Sequence, residues 1–406
     1  MPPADTAPAA PEFVFRQARA PQGDAMFRDW ILGLIIVGAF LLRAFIASTS
    51  PYLPDEHELS IPLANRISFS PATLNLPIRG VDHPALPSYF IKASAAVFGH
   101  TPVGYRMLHV LIGVFVVGVV YRLTSGWAGS TAARWAAALV AFNEYHVGVS
   151  AFATAKGPHL LFVVLAAYAF VRFLQTERPG SLYLAFAMTG FGFYCKEHSA
   201  LLLPIFVAVL ARRPYRRWLK SAAIISASVV FGVIVLPDML WNAGAVPGGP
   251  QATYLDHLAR IGGLGFTPNY FLFFARDAIQ AAAVTLTGGG IPDSVSENPS
   301  MNSALGLVLF GAMSVFALRR NPDAVGAFLL TMFWGLLCFF VFIRPGDSPR
   351  PMDKAAWYWV DATLFPAAIV AGKLLAAASG WRRIAAWVLA TGAIVYASLQ
   401  WSFDLR

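Results

Sequence analysis

The chain is poor in charge. Only 13% of its 406 residues are Asp, Glu, Lys or Arg, against roughly 25% in an ordinary soluble domain. With a mean hydropathy of +0.60, that scarcity excludes a soluble enzyme. Acids are scarcer than bases, 21 against 30. The excess of base does not point to nucleic acid, and no nucleic-acid partner is expected, because membrane proteins gather Lys and Arg in their cytoplasmic loops. Cysteine is nearly missing. Cys195 and Cys338 both lie in or beside apolar segments, which excludes a disulfide framework and a cysteine-based metal site. No His, Cys or Asp spacing has a metal-ligand signature. No cofactor and no metal are therefore expected, a divalent ion at Asp55 and Glu56 being the less favoured alternative. Gly288-Gly289-Gly290 has no strand before it and no GK[ST] after it, so it is not a phosphate loop. An internal repeat is also missing. Residues 1–29 lack an apolar h-region, which excludes a signal peptide and predicts a disordered cytoplasmic tail.

Long apolar runs are what the chain has in abundance. About 20 apolar residues cross the hydrocarbon core. Spans are predicted at 30–48, 104–121, 132–151, 158–174, 182–195, 199–211, 218–237, 303–318, 323–343, 355–377 and 383–402. The expected fold is an all-α polytopic membrane protein with about 11 transmembrane helices. With the N-terminus in the cytoplasm, Arg122 and Arg134, Arg172 and Arg178, the run Arg212–Lys220, Arg319 and Arg320, and Arg382 and Arg383 all fall inside, as the positive-inside rule requires. The outer loops are then 49–103 and 238–302. Residues 84–98 and 265–287 suit interfacial helices. The expected location is a bacterial-type inner (plasma) membrane, crossed many times and in contact with its lipids.

Polar clusters converge on the outer side of this threading. They are Asp55-Glu56-His57, Arg79 with Asp82-His83, Glu144-Tyr145-His146, Lys156, Lys196-Glu197-His198, and Arg344 through Lys354 with Tyr358. Any one cluster is explained by anchoring at the interface. Together they suggest a site. A carboxylate can take a proton from an attacking hydroxyl or amine, and Lys or Arg can hold a phosphate and offset the charge that grows on it. Asp55 is the candidate base, assisted by Glu56. Lys196, Lys354, Arg344, His83 and Tyr358 are candidates to bind the phosphate of a donor. His57, Glu144, Lys156, Glu197 and Trp241 are candidates to bind an acceptor or sugar. Arg43, within the first span, is expected to face the bundle and pair with Asp55 or Glu56, or to serve packing alone.

The order of these elements resembles the GT-C membrane glycosyltransferases that use polyprenyl-phosphate sugars, among them the protein O-mannosyltransferases and lipid A aminoarabinose transferases. The likeness rests on Asp55-Glu56 after the first span and on His83-Pro84-Ala85-Leu86-Pro87-Ser88-Tyr89-Phe90 opening an interfacial helix that closes on Phe98-Gly99. It continues with Arg106-Met107-Leu108-His109, Lys196-Glu197-His198 before Leu201 to Pro204, and Lys354-Ala355-Ala356-Trp357-Tyr358 before Phe365-Pro366. It covers residues 30–210 well and 350–375 loosely. The resemblance implies a GT-C-like domain over 30–406. It also implies an inverting sugar transfer on the outer face, with Asp55 as base, a polyprenyl-phosphate leaving group, and a lipid, glycan or protein acceptor.

Two features depart from that family. Many members carry a second acid opening the fourth helix, where this chain reads Thr154-Ala155-Lys156-Gly157-Pro158-His159. A two-carboxylate mechanism is therefore not expected. No soluble domain follows the last span, so the acceptor is expected to be small, lipid-bound, or held by the 238–302 loop. The alternative reading is a transporter or flippase for a lipid-linked or anionic solute, although such folds show repeats and broken helices near the midplane. A partner-binding membrane scaffold is the third reading.

Overall fold

The structure, a computed structural model, describes residues 29–78, 84–242, 303–318, 322–342 and 351–404. The predicted tail and most of the second outer loop lie outside them. The described residues are nearly all helical, with one isolated bridge between Ser68 and Asn75. In chain order the helices are α1 (Trp30–Thr49), α2 (Ile61–Arg66), α3 (Leu86–Phe98), α4 (Pro102–Ala128), α5 (Ser130–Ala141), α6 (Glu144–Ala151) and α7 (Lys156–Thr176). Then come α8 (Pro179–Phe193), α9 (Leu202–Leu210), α10 (Ala222–Asn242), α11 (Ser303–Ala317), α12 (Ala324–Phe342), α13 (Pro351–Ala377) and α14 (Gly380–Asp404). Every predicted span coincides with one of these helices or with a pair of them. By length and composition, α1, α4, α7 and most of α10 can each cross a membrane.

The bundle packs through small residues. Ala132, Ala133, Ala136 and Ala137 of α5 are fully buried, and α5 lies against α13. A Cβ on Gly372 would sit 2.4 Å from the Ala132 carbonyl oxygen, so the bare glycine sets how closely the two backbones approach. Close backbone approach through Ala and Gly is the usual basis of helix association where burial alone gives no drive. Phe170 and Phe206 stack with centroids 4.2 Å apart, and Phe328 packs tilted against both.

One predicted span is two helices. Residues 132–151 break between Ala141 and Glu144, because Asn143 starts a new helix by accepting the His146 N–H on its side chain. A break inside a bundle leaves carbonyls without helical partners. Arg43 of α1 reaches into this one. It donates to the Ala141 carbonyl at 2.9 Å, the Ala39 carbonyl at 3.0 Å and Ser150 Oγ at 2.7 Å. Its fourth contact is His146 Nδ1 at 2.7 Å. The same Nδ1 also lies 3.0 Å from the Val140 carbonyl oxygen, so the ring sits between a donor and an acceptor at the break. A Cβ on Gly113 would lie 2.4 Å from the Ser150 Cβ and 3.0 Å from the Arg43 Nε, so α4 is bare where this group passes. Arg43 does face the bundle, as expected, but its partners are the helix break and His146, and neither Asp55 nor Glu56 pairs with it.

At one end of the bundle three acids tie helices together. Asp29 caps α1, accepts from the Tyr121 hydroxyl at 2.7 Å and pairs with Arg134 at 2.9 Å. Asp323 caps α12, accepts from the Trp127 indole at 3.0 Å and lies 3.7 Å from Lys373. Glu177, just past α7, accepts from Arg217 and from the Trp218 indole at 2.9 Å. Burial raises the Glu177 pKa, but the Arg217 and Trp218 donors outweigh it and leave the carboxyl below its ordinary value. A depressed carboxyl stabilises the fold above its unfolded pKa, and that contribution is lost as pH falls through the folded value. Glu177→Gln is therefore expected to lower the melting temperature of the detergent-purified protein at neutral pH. The difference from the parent should shrink as pH falls below about 4. A difference that is constant with pH would assign the effect to packing.

Candidate active site

At the opposite end, residues 55–60 form one wide π-type turn. Pro54 stands in its first turn, where its missing N–H has no helical partner to lose. Glu56 Oε2 accepts from the Leu53 N–H three residues back at 2.9 Å, as a capping-box glutamate does. The same carboxylate is fully buried. Arg106, also fully buried and one turn inside α4, meets it with two bonds: Nε to Oε1 at 2.8 Å and Nη2 to Oε2 at 2.6 Å. The guanidinium also donates to the carbonyls of Ala47, Ser50 and Pro51, and the Phe152 ring lies 4.8 Å from its carbon. Both charges are thus paired, and five hydrogen bonds saturate the arginine.

Glu56 has one more partner. Oε1 accepts from the Ala153 N–H at 2.7 Å. Residues 152–155 are the non-helical joint between α6 and α7. The neighbouring Thr154 carbonyl is 3.1 Å from His109 Nε2, so Nε2 is the donor. The joint is therefore held on its N–H side by Glu56 and on its C=O side by His109. A Cβ on Gly157 would sit 3.0 Å from the Val149 carbonyl oxygen and 3.3 Å from the His109 ring, which is why the first turn of α7 runs close to both.

This clamp brings candidate residues together. With Glu56 turned inward, the preceding residue on the turn, Asp55, is exposed. Lys156, half-buried, opens α7 three residues past Ala153, its Nζ 6.0 Å from the Tyr145 ring. One turn further along α7, His159 meets His198 edge to face at 4.5 Å between centroids. That contact docks the turn carrying Lys196 and Glu197 beside the α7 start, and both side chains are buried. Tyr194, just before them, accepts the Asp238 N–H at 3.2 Å. Pro237 interrupts the α10 ladder there, and half-buried Trp241 follows at the end of that helix. Between His159 and His198 lies a cavity of about 10 Å³ lined mainly by apolar groups. It has room for roughly one water and none for a sugar.

The structure thus gathers Asp55, Lys156, Lys196, Glu197 and Trp241 at one end. His57 is exposed on the turn. Glu56 departs from its expected role. Both its oxygens are committed to Arg106, Leu53 and Ala153, so it positions the turn and has no lone pair aimed outward for an acceptor. Glu144 lies at the start of α6, its side chain outside those described. Lys354 and Tyr358 lie in the first turns of α13, also without described side chains, and His83 and Arg344 lie outside the described residues. Arg106 and His109 are the residues the sequence reading quoted only as a motif. An arginine one turn inside a spanning helix needs an intramembrane partner, and the acids at 55–58 and Asp82 lay between it and the first span.

Residues 82–241 match the family model described as dolichyl-phosphate-mannose-protein mannosyltransferase. The segment holds Arg106, His109, Lys156 and Lys196; Asp55 and Glu56 precede it and are joined to it by the clamp. The fold is similar to that of ArnT from Cupriavidus metallidurans bound to undecaprenyl phosphate, with a TM-score of 0.63 and 16% identity over 89% of this chain and 62% of that one. The chain shares the fold of that protein. Archaeal oligosaccharyltransferases from Archaeoglobus fulgidus share it. The enzyme in complex with Zn and sulfate gives a TM-score of 0.56 and 16% identity over 91% of this chain and 52% of that one. AglB in complex with an inhibitory peptide and a dolichol-phosphate gives 0.53 and 14% over 92% and 56%. The chain therefore spans less than two thirds of the length of these proteins. No curated protein matches the sequence.

The clamp makes a specific prediction. Arg106→Ala leaves the Glu56 carboxylate buried without its cation and is expected to cost about 3–5 kcal/mol, read as a large fall in melting temperature. Arg106→Met combined with Glu56→Met removes both charges and should recover part of that loss. A double variant no more stable than Arg106→Ala would contradict the pairing as the source of the effect.

Proposed function

We propose that this protein moves a sugar from a polyprenyl-phosphate-linked donor to an acceptor hydroxyl or amine, with inversion, at the end of the bundle that carries Asp55. The observation that carries this reading is the clamp on Ala153. One buried carboxylate fixes both the turn that exposes Asp55 and the joint that leads to Lys156, while the His159–His198 contact brings Lys196 alongside.

In the proposed step the acceptor oxygen or nitrogen attacks the anomeric carbon from the side opposite the phosphate. Asp55 takes the acceptor proton as the new bond forms. The bond from the anomeric carbon to the phosphate oxygen breaks, and its electron pair leaves with the polyprenyl phosphate. Lys196, with Lys156 beside it, offsets the negative charge that grows on that oxygen, and a buried ammonium does so with less screening than one in water. Lys354, Arg344, His83 and Tyr358 are proposed to complete the phosphate contacts, and Glu197, His57, Glu144 and Trp241 to contact sugar or acceptor. One base and cationic stabilisation suffice for this step, with no second carboxylate. The bound undecaprenyl phosphate and dolichol-phosphate of the structural neighbours support a donor of this class. The acceptor is proposed to be a lipid, glycan or protein. The Arg212–Lys220 loop lies at the opposite end of the bundle and supports a cytoplasmic location for that end. The site then faces outward from a plasma membrane.

Purified protein given a polyprenyl-phosphate sugar and an acceptor mixture is expected to release polyprenyl phosphate. Asp55→Asn should lower that rate by about 10²–10⁴-fold at unchanged melting temperature, and Lys196→Ala should raise the KM for donor. Full activity in Asp55→Asn would remove Asp55 as the base.

A further inference from the structure

A second charged surface lies at the end of the bundle away from the candidate site. The loop between α9 and α10 carries Arg212, Arg213, Arg216, Arg217 and Lys220, all exposed. Exposed Arg178, at the start of α8, lies across from it. A run of this kind on a slack loop would spread out by self-repulsion. This one is held in place. The buried Tyr215 donates its hydroxyl to the Leu174 carbonyl at 2.9 Å. Trp218 packs edge-on against Phe173 at 5.1 Å and donates to Glu177. Arg217 pairs with the same Glu177. The loop is thereby fastened to the end of α7 at three points, and residues Arg216–Lys220 wind into a 3-10 turn.

The fastening uses the acid at the end of α7. Glu177 is committed to Arg217 and Trp218, and no carboxylate among the described residues pairs with Arg178, Arg212, Arg213, Arg216 or Lys220. Five like charges are therefore held on a fixed surface without internal neutralisation. The neighbouring helices expose large apolar side chains, Leu184 on α8, Val207 on α9, and Ile225 and Val229 on α10, so the charged surface borders the hydrocarbon of one leaflet. At that border the abundant polyanion is the lipid phosphodiester, which a guanidinium fork matches in geometry.

We infer that this surface binds anionic phospholipid headgroups, two or more together, and so recruits phosphatidylglycerol-type lipid around α7–α10. Because the loop is already ordered, little conformational entropy is lost on binding. Attraction of basic segments to an anionic leaflet is worth a factor on the order of fivefold per Lys or Arg at the surface. This inference stands on the charge and its fastening, and it is independent of the proposed sugar transfer.

The test uses the full chain in a neutral detergent, titrated with phosphatidylglycerol, phosphatidylcholine or inorganic phosphate, and is read as melting temperature and as lipid retained in native mass spectra. The parent should be stabilised by phosphatidylglycerol alone and should retain it. A variant combining Arg212→Gln, Arg213→Gln, Arg216→Gln and Lys220→Gln should need at least tenfold more of that lipid for the same shift. A charge-keeping variant, with Arg212→Lys, Arg213→Lys and Arg216→Lys, should bind within a few-fold of the parent, which separates loss of charge from loss of fold. Equal response to phosphatidylcholine, or an unchanged titration in the Gln variant, would overturn the inference. So would an equal shift with inorganic phosphate at the same concentration, which would make the surface a free-phosphate site. Displacement of the lipid by an acidic polypeptide at lower concentration would likewise overturn it in favour of a protein partner.

Discussion

A carboxylate and a guanidinium, each sealed from solvent, hold the site end of this protein together. Glu56 comes from a turn beyond α1, Arg106 from α4, and the carboxylate also accepts from the Ala153 N–H between α6 and α7. Three segments distant in sequence meet at one pair of charges. Taking two ions out of water is expensive unless every remaining donor and acceptor is used. Here the arginine spends its other donors on the carbonyls that end α1, and the glutamate spends its other lone pairs on two backbone N–H groups. The pair is therefore more than a contact between helices: it satisfies the frayed ends of the elements it joins. A consequence is the division of labour between two adjacent acids. Glu56 is consumed by structure, and that commitment is what leaves Asp55 facing the open side.

The same economy recurs deeper in the bundle. Arg43 fills the break between α5 and α6, and Gly113 leaves it room. The buried cations of this region sit where helices stop short, and each replaces hydrogen bonds the backbone has lost. This explains how a chain so poor in charge carries fully buried arginines. They are placed at breaks, and the breaks bring non-helical backbone to the depth where α6 gives way to α7 and the Lys156 turn begins.

Much of the architecture could be read from the residues alone, because apolar runs long enough to span a membrane have few other uses. The helix positions follow from that constraint. The break at Asn143 did not: Asn143, Glu144 and His146 interrupt the apolar run 132–151, but what starts a new helix there is a single capping side chain. Which of Asp55 and Glu56 points inward was also hidden. A turn's rotation about its own axis depends on tertiary partners, and Arg106 lies fifty residues away. Pairing Arg43 with the acidic turn was the natural guess from chain order. The structure gives that role to Arg106, because the Arg43 side chain is met first by the carbonyls of the helix break. The convergence of Lys156 with Lys196 was legible only as two charges expected at one membrane depth. The contact that joins them, His159 against His198, has no sequence signature beyond the two residues themselves.

The most direct test of the account is a structure of the protein with undecaprenyl phosphate bound. The clamp predicts a phosphate within hydrogen-bonding reach of Lys196 or Lys156, with the Asp55 carboxylate facing open space beside it and the Glu56–Arg106 pair intact. A phosphate bound elsewhere in the bundle, with Asp55 turned away from it, would contradict the assignment of this end as the active site.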